Sequence, residues 1–353
     1  MRTIKKVASH IFIDGFGGMT QGLFATLIIG TMIQQIGLLI GGSTGKVIYL
    51  LGKAAAALTS AGIGVGVAVK YGESPLVTVS AAVAAMVGGY AGKITGGTFF
   101  VDGNAVLAGP GEPLGAFIAA FAGITCGHLV SGKTKVDIIV TPVITIGAGS
   151  VVGLLVGPPI SQMMTGLGSI INWATEQRPF IMGIVVSVVM GMVLTLPISS
   201  AALGIILNLS GLAAGAATIG CCNMVGFAVA SYRENKFGGL VAQGLGTSML
   251  QVPNIMRHPL IWLPVIFSSA ILGPVSTILA NMQNNATGSG MGSAGLVGQI
   301  TTYQTMIAYD DPKLVIIKII LLHFVLPAVI TLFFSEVFRK ANLIKSGDMA
   351  LNL

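Results

Sequence analysis

Charge is what this chain lacks. Only 8% of its side chains are Asp, Glu, Lys or Arg, where a soluble domain carries roughly 25%. Apolar residues make up 54% and the mean hydropathy is +0.90, so a water-soluble fold would expose more apolar area than soluble monomers tolerate. The bilayer is the solvent this composition calls for, which excludes soluble enzymes and nucleic-acid binders. At about 20 residues per spanning helix, 353 residues allow roughly ten crossings joined by short loops. The expected fold is an all-α polytopic membrane protein of about ten transmembrane helices, with re-entrant or broken segments between some of them.

Glycine, at 50 residues, is about twice as common as usual, so helices must either approach backbone to backbone or break. Apolar spans are drawn at 19–42, 54–70, 75–92, 111–131, 137–157, 179–197, 199–231 (long enough for two short passes), 259–282 and 314–338. Residues 93–110, 158–178, 238–256 and 283–311 are too polar or glycine-rich to span and too apolar for ordinary loops. They read as broken or re-entrant segments, which lipid permits where protein or a water-filled cavity covers the backbone. Residues 1–18 combine Arg2, Lys5 and Lys6 with Ile4, Val7, Ile11 and Phe12 at helical spacing, the pattern of an amphipathic helix on the cytoplasmic surface.

Basic loops orient the chain. Lys5 and Lys6, Lys133 and Lys135, Arg233 and Lys236, and Arg339, Lys340 and Lys345 fall on one side if both termini are cytoplasmic. Lys46, Lys53 and Lys93 run against that count. The expected organisation is an N-terminal helix over 1–18, a transmembrane domain over 19–338 and a cytoplasmic tail over 339–353. An internal echo pairs DIIVTPVIT (137–145) with PLIWLPVIF (259–267); each is followed by a Gly-Pro pair and, further on, by a proline-led span. Such repeats are a common transporter device.

Several motifs are decoys. GHLVSGKT (127–134) spells a phosphate loop, but it lies between two membrane spans rather than between a strand and a soluble helix, and reads as a cytoplasmic turn. Gly290, Gly292 and Gly295 spell GxGxxG with no βαβ unit around them. Cys126, Cys221 and Cys222 sit in apolar stretches without metal or disulfide spacing, so neither a metal nor a cofactor is expected. Gly149, Gly153 and Gly157, and likewise Gly211 and Gly215, recur every four residues as small-residue helix contacts.

Four polar clusters are candidates for a solute site. In FFVDGNAVLAGPGEPLGAF (99–117), Pro110 and Pro113 with four glycines leave backbone groups free at the lip of a span, with Glu112 where the helix begins and Asp102 and Asn104 before it. A carboxylate at membrane depth is costly and by default functional; the alternative is a first-turn helix carboxylate in an interfacial loop. SIINWATEQRPF (169–180) joins Asn172 and Glu176 to Trp173. Carboxylates, amides and an aromatic face suit a sugar, and an outer loop with an interfacial Trp173 and a Glu176–Arg178 pair fits as well. QVPNIMRHP (251–259) supplies Gln251, Asn254 and His258, and NMQNNATGSG (281–290) a run of amides.

The order AGPGEPLGA, SGKTKVDIIVTPVIT, VGPPISQMMT, NWATEQRPFIMGI, LTLPISSAA and GLGTSMLQVPNI resembles the membrane-embedded IIC subunits of the bacterial phosphotransferase system, in a divergent IIC-only branch, over about residues 19–338. The resemblance implies an inner-membrane homodimer that binds a sugar, or a sugar-like organic anion, in a midplane cavity and moves it by alternating access. In such families a Thr-Glu pair and a separate histidine hold the hydroxyl that receives phosphate; Thr175 and Glu176, flanked here by Ala174 and Gln177, echo that pair. It implies as well either separate IIA and IIB phosphocarrier proteins, for which this chain has no domain, or transport without phosphorylation. A channel-like pore is the reading from another class.

Overall fold

The computed structural model describes residues 14–107 and 109–351, so most of the expected 1–18 helix lies outside the described residues. The described chain is helical apart from one two-stranded hairpin, and it divides into two compact units, Met1–Thr165 and Gly166–Leu353.

The first unit opens with α1 (Phe16–Ile40), a span of 25 residues. Gly41 and Gly42, at φ +67° and +63°, turn the chain back into α2 (Gly42–Ala57); only glycine takes two such left-handed steps without strain. The two helices then touch at their backbones. A β carbon on Gly37 would stand 2.5 Å from the Tyr49 nitrogen, and one on Gly30 would stand 2.7 Å from the Ala56 nitrogen. The outward side chains, among them Ile36, Leu39, Leu50 and Leu51, are exposed, as lipid-facing residues are. At Leu58 the path bends by 53° into α3 (Thr59–Lys70). Next come α4 (Pro75–Gly89), the single turn α5 (Ala91–Thr95), the hairpin β1 (Phe100–Val101) and β2 (Asn104–Ala105), and α6 (Pro113–Val130). Pro75 and Pro113 stand at helix starts, where a missing N–H costs nothing. The core is made of small side chains, with Ala81, Ala84, Ala85, Ala116, Ala119 and Ala120 fully buried.

Helix α7 (Asp137–Thr175) runs 39 residues without interruption. This corrects the reading of 158–178 as a broken segment, because Pro158 and Pro159 lie within the helix. Membrane helices tolerate internal prolines because neighbouring groups and local adjustments satisfy the freed carbonyls. Gly149, Gly153 and Gly157 do make close contacts, against Ala119, Gly88 and Ala91. Gly211 does not: it starts its helix at φ +56°, with nothing near its would-be β carbon, while Gly215 abuts the Met282 carbonyl.

The second unit continues with α8 (Pro179–Thr195), α9 (Ser200–Ile206) and α10 (Gly211–Ala230). Segment 199–231 is thus one seven-residue helix and one 20-residue span, not two passes, since seven residues rise only about 10 Å. After α11 (Tyr232–Val241), residues 242–262 form a series of short pieces: a π turn (Ala242–Gly246), a 3₁₀ turn (Ser248–Gln251), α12 (Val252–Arg257) and a second 3₁₀ turn (Pro259–Trp262). A span then runs through α13 (Leu263–Pro274) to Leu279. It is followed by α14 (Ala286–Ser289), α15 (Val297–Met306) and the 29-residue span α16 (Pro312–Lys340).

Helices α8 and α13 meet along three rungs spaced four residues apart. Thr277 donates to the Pro179 carbonyl at 2.8 Å, Gly183 meets Gly273, and Ser187 donates to the Ser269 carbonyl at 2.8 Å. Six helices among the described residues are long and apolar enough to cross a membrane, and a seventh if the bent pair α2–α3 counts as one. Helices α4 and α8 are apolar but shorter.

Candidate functional site

Three helix breaks of the first unit converge around Glu112. Ser60, just past the bend at Leu58, donates to the Pro110 carbonyl at 3.0 Å. Tyr90, in the break after α4, donates to the Gly109 carbonyl. The Glu112 amide donates to the Gly89 carbonyl at 2.7 Å. Three polar backbone groups of the proline-broken loop are therefore satisfied by residues of other elements. Glu112 itself is half-buried at the cap position of α6, with extended backbone, where a carboxylate faces the positive end of the helix dipole.

Asp102 and Asn104 are explained locally. Asp102 and Gly103, both at positive φ, are the two turn residues of the hairpin, the Asp-Gly pairing that such turns favour. Asn104 donates to the Asp102 carbonyl at 3.3 Å, and all three are exposed. Asn172 lies in the last turns of α7, its side chain outside the described ones. Glu176 is exposed in the turn between α7 and α8, and Trp173 is 53% exposed. Among the described residues Glu176 makes no ion pair with Arg178.

Gln251, Asn254 and His258 come together on something the sequence did not suggest, the chain's own residues 347–351. Gln251 donates to the Gln243 side chain at 2.8 Å and to the Met349 carbonyl at 3.0 Å. Asn254 donates to Gln251 Oε1 at 2.8 Å and to the Ala350 carbonyl at 2.9 Å. His258 Nε2 lies 3.5 Å from Asp348 Oδ1. The tail after α16 folds back, with Ile344 and Met349 buried in a cluster with Phe227, Ala230, Ile255, Ile261 and Val265. Arg233–Glu336 at 3.1 Å and Arg339–Glu234 at 2.8 Å bring two of the basic clusters to one end of the unit.

A second polar group of this unit is buried among its helices. Asn284, 1% exposed, donates to Thr218 Oγ1 at 2.8 Å and to the Gly298 carbonyl at 3.1 Å. Gln299 Nε2 lies 3.4 Å from His323 Nδ1. His323 is fully buried in a π-helical stretch (Ile320–Val325) of α16. Pro327 has no N–H for the carbonyl four residues back, that of His323; the Cys221 thiol reaches that oxygen, Sγ to O 3.5 Å. One helical position on from Cys222, Asn223 is fully buried. Gln299 Oε1, His323 Nε2 and Thr302 Oγ1 have no hydrogen-bond partner among the described residues, and neither does either side-chain atom of Asn223, which lies apart from them against Gly191. Each such buried atom costs about 1–3 kcal/mol. Leu296, three residues before Gln299, holds a left-handed φ of +59°, a strain of about 1–3 kcal/mol of the kind that accompanies functional backbone. Sequence reading missed His323 and Gln299; the signal was an ionisable residue in the interior of the most apolar span.

Neither the phosphate-loop match nor the GxGxxG match is a nucleotide site. Gly132 turns at φ +74°, its amide bonded to Asp137, and Lys133 donates to the Leu129 carbonyl at the end of α6. Among the described residues no group of three His, Cys, Asp or Glu could hold a metal.

Apolar spans, broken segments between them and a polar group enclosed by helices define a multi-pass α-helical membrane transporter. The family model described as Phosphotransferase system, EIIC matches residues 13–351, and the chain belongs to that family. Among curated proteins none matches it.

Proposed function

We propose that the chain carries a sugar across the bacterial cytoplasmic membrane by alternating access, as a homodimer with both termini in the cytoplasm, and that separate IIA and IIB phosphocarriers donate the phosphoryl group. One observation supports this choice of sugar site: Gln299 and His323 are buried together, each with a side-chain atom that has no partner among the described residues. A sugar presents hydroxyls that donate and accept at once, the complement of an amide and an imidazole. The cluster is closed to solvent, so the solute reaches it only when helices move, as alternating access requires.

Reconstituted vesicles test this. Uptake of one sugar from a panel of sugars and sugar acids saturates and needs the phosphoryl donor proteins; Gln299→Ala weakens binding about threefold to tenfold, as expected for one hydrogen bond, with the melting temperature unchanged or raised. Unchanged affinity in a folded Gln299→Ala chain refutes the site. Uptake of unmodified solute without any donor refutes the phosphoryl route and leaves a facilitator or ion-coupled carrier.

Glu112 supports a second, independent reading, as a solute-binding carboxylate of the first unit. Its favouring observation is position: half-buried at a helix start on which three breaks converge.

A further inference from the structure

Residues 347–351 are held by side chains that read backbone. Asn235 donates to the Met349 carbonyl at 2.8 Å and accepts from the Leu351 amide at 2.7 Å, so one side-chain amide bridges residues i and i+2 as a neighbouring β-strand would. Gln251 adds a second bond to the Met349 carbonyl and Asn254 one to the Ala350 carbonyl. Glu234 accepts from the Gly347 amide at 3.4 Å.

The row is anchored behind. Gln243 donates to Ser231 Oγ at 2.9 Å and to the Gly239 carbonyl at 3.0 Å, and accepts from Gln251. Gln243 and Gln251 are fully buried. Two contacts add sequence preference: the Met349 side chain, 1% exposed, fills an apolar recess, and Asp348 lies against His258. Ala350 points outward. Among the described residues, the backbone–backbone bonds of the segment are local turns, Asp348 to Lys345 and Ala350 to Gly347.

We propose that this amide row is a receptor for a short, turn-forming peptide of the pattern acidic residue, methionine, small residue, and that residues 347–351 occupy it as a displaceable ligand in cis. A segment held by side-chain amides and one apolar plug, with no shared ladder, leaves and returns without unfolding its host. Docked, it ties the end of α16 to α11 and to the broken segment 242–257; released, it frees that segment. The proposal does not depend on where the sugar binds.

The test uses the full chain in detergent and a labelled peptide, KSGDMALNL, matching residues 345–353. In the parent chain the Leu351 amide exchanges with deuterium at least tenfold more slowly than in the free peptide, and millimolar peptide, comparable to the effective concentration of a short tether, speeds that exchange saturably. The Met349→Lys chain, whose tail cannot plug the recess, binds the peptide. Adding Asn254→Ala weakens that binding roughly threefold to tenfold, and a peptide with lysine in place of methionine does not bind. Free exchange at Leu351 in the parent overturns the proposal, as does a Met349→Lys chain that melts like the parent yet binds no peptide. If Met349→Lys fails to fold, the parent experiment decides alone: exchange at Leu351 that is slow and indifferent to peptide marks a fixed structural tail and overturns the receptor.

Discussion

Gly183→Ala isolates how closely two membrane helices must approach. The added β carbon would stand 2.8 Å from the carbonyl carbon and oxygen of Gly273 and from the Pro274 nitrogen. All three are backbone atoms that cannot rotate away. Comfortable contact lies near 3.5 Å, so α8 and α13 must part by about 0.7 Å. That separation stretches the flanking rungs, Ser187 to Ser269 and Thr277 to Pro179, each 2.8 Å, to the limit of a hydrogen bond. Overpacking costs about 1–3 kcal/mol and each interhelical bond in a membrane about 0.6 kcal/mol, a total of about 2–4 kcal/mol. At about 2–4 °C per kcal/mol for a unit of this size, melting in detergent falls by roughly 4–16 °C. Ser187→Ala, which removes one rung and adds no bulk, lowers it by only about 1–2 °C. A Gly183→Ala chain that melts within 2 °C of the parent, or no lower than Ser187→Ala, refutes this account of the seam.

Tyr90→Phe removes the hydroxyl that donates to the Gly109 carbonyl and destabilises the chain by about 1–3 kcal/mol, read by thermal unfolding; an unchanged melting curve means the loop is held otherwise. Glu112→Gln keeps size and fold while removing charge, and weakens solute binding roughly tenfold to a hundredfold if the carboxylate touches the solute; parent-like affinity returns Glu112 to the role of a helix-start carboxylate. Reporter fusions at Gly132, at Lys236 and after the tail all read as cytoplasmic, and a periplasmic signal at any one of them breaks the assigned orientation.

The membrane class was legible because it depends on totals: 18 basic and 11 acidic residues in 353 leave no soluble alternative. Helix starts were legible where proline marks them, at Pro75, Pro113, Pro179 and Pro312. The same residue misled at Pro158 and Pro159, since a proline inside a spanning helix and one that ends it look alike until neighbouring helices are known. Asp102 was read as a candidate for the solute site, while the Asp-Gly pair between two short apolar runs was also a legible hairpin-turn signal. Gln251, Asn254 and His258 were grouped as a candidate solute site because they lie close in the chain. What they face was hidden, because Gln251 and Asn254 reach carbonyls about a hundred positions away, and backbone leaves no trace in composition. His323 was hidden differently: one polar residue barely moves the mean of a long apolar window.

The Cys221 thiol and the His323 carbonyl are separated by 102 positions, and their order along the chain has a consequence for biogenesis. An unsatisfied carbonyl in lipid costs several kcal/mol, and Pro327 denies this one its α-helical donor. Synthesis delivers Cys221 on α10 well before Pro327 emerges, so the last span enters a membrane in which a donor for its weakest turn already stands. Were the two segments made in reverse order, α16 would have to wait in lipid with that turn exposed.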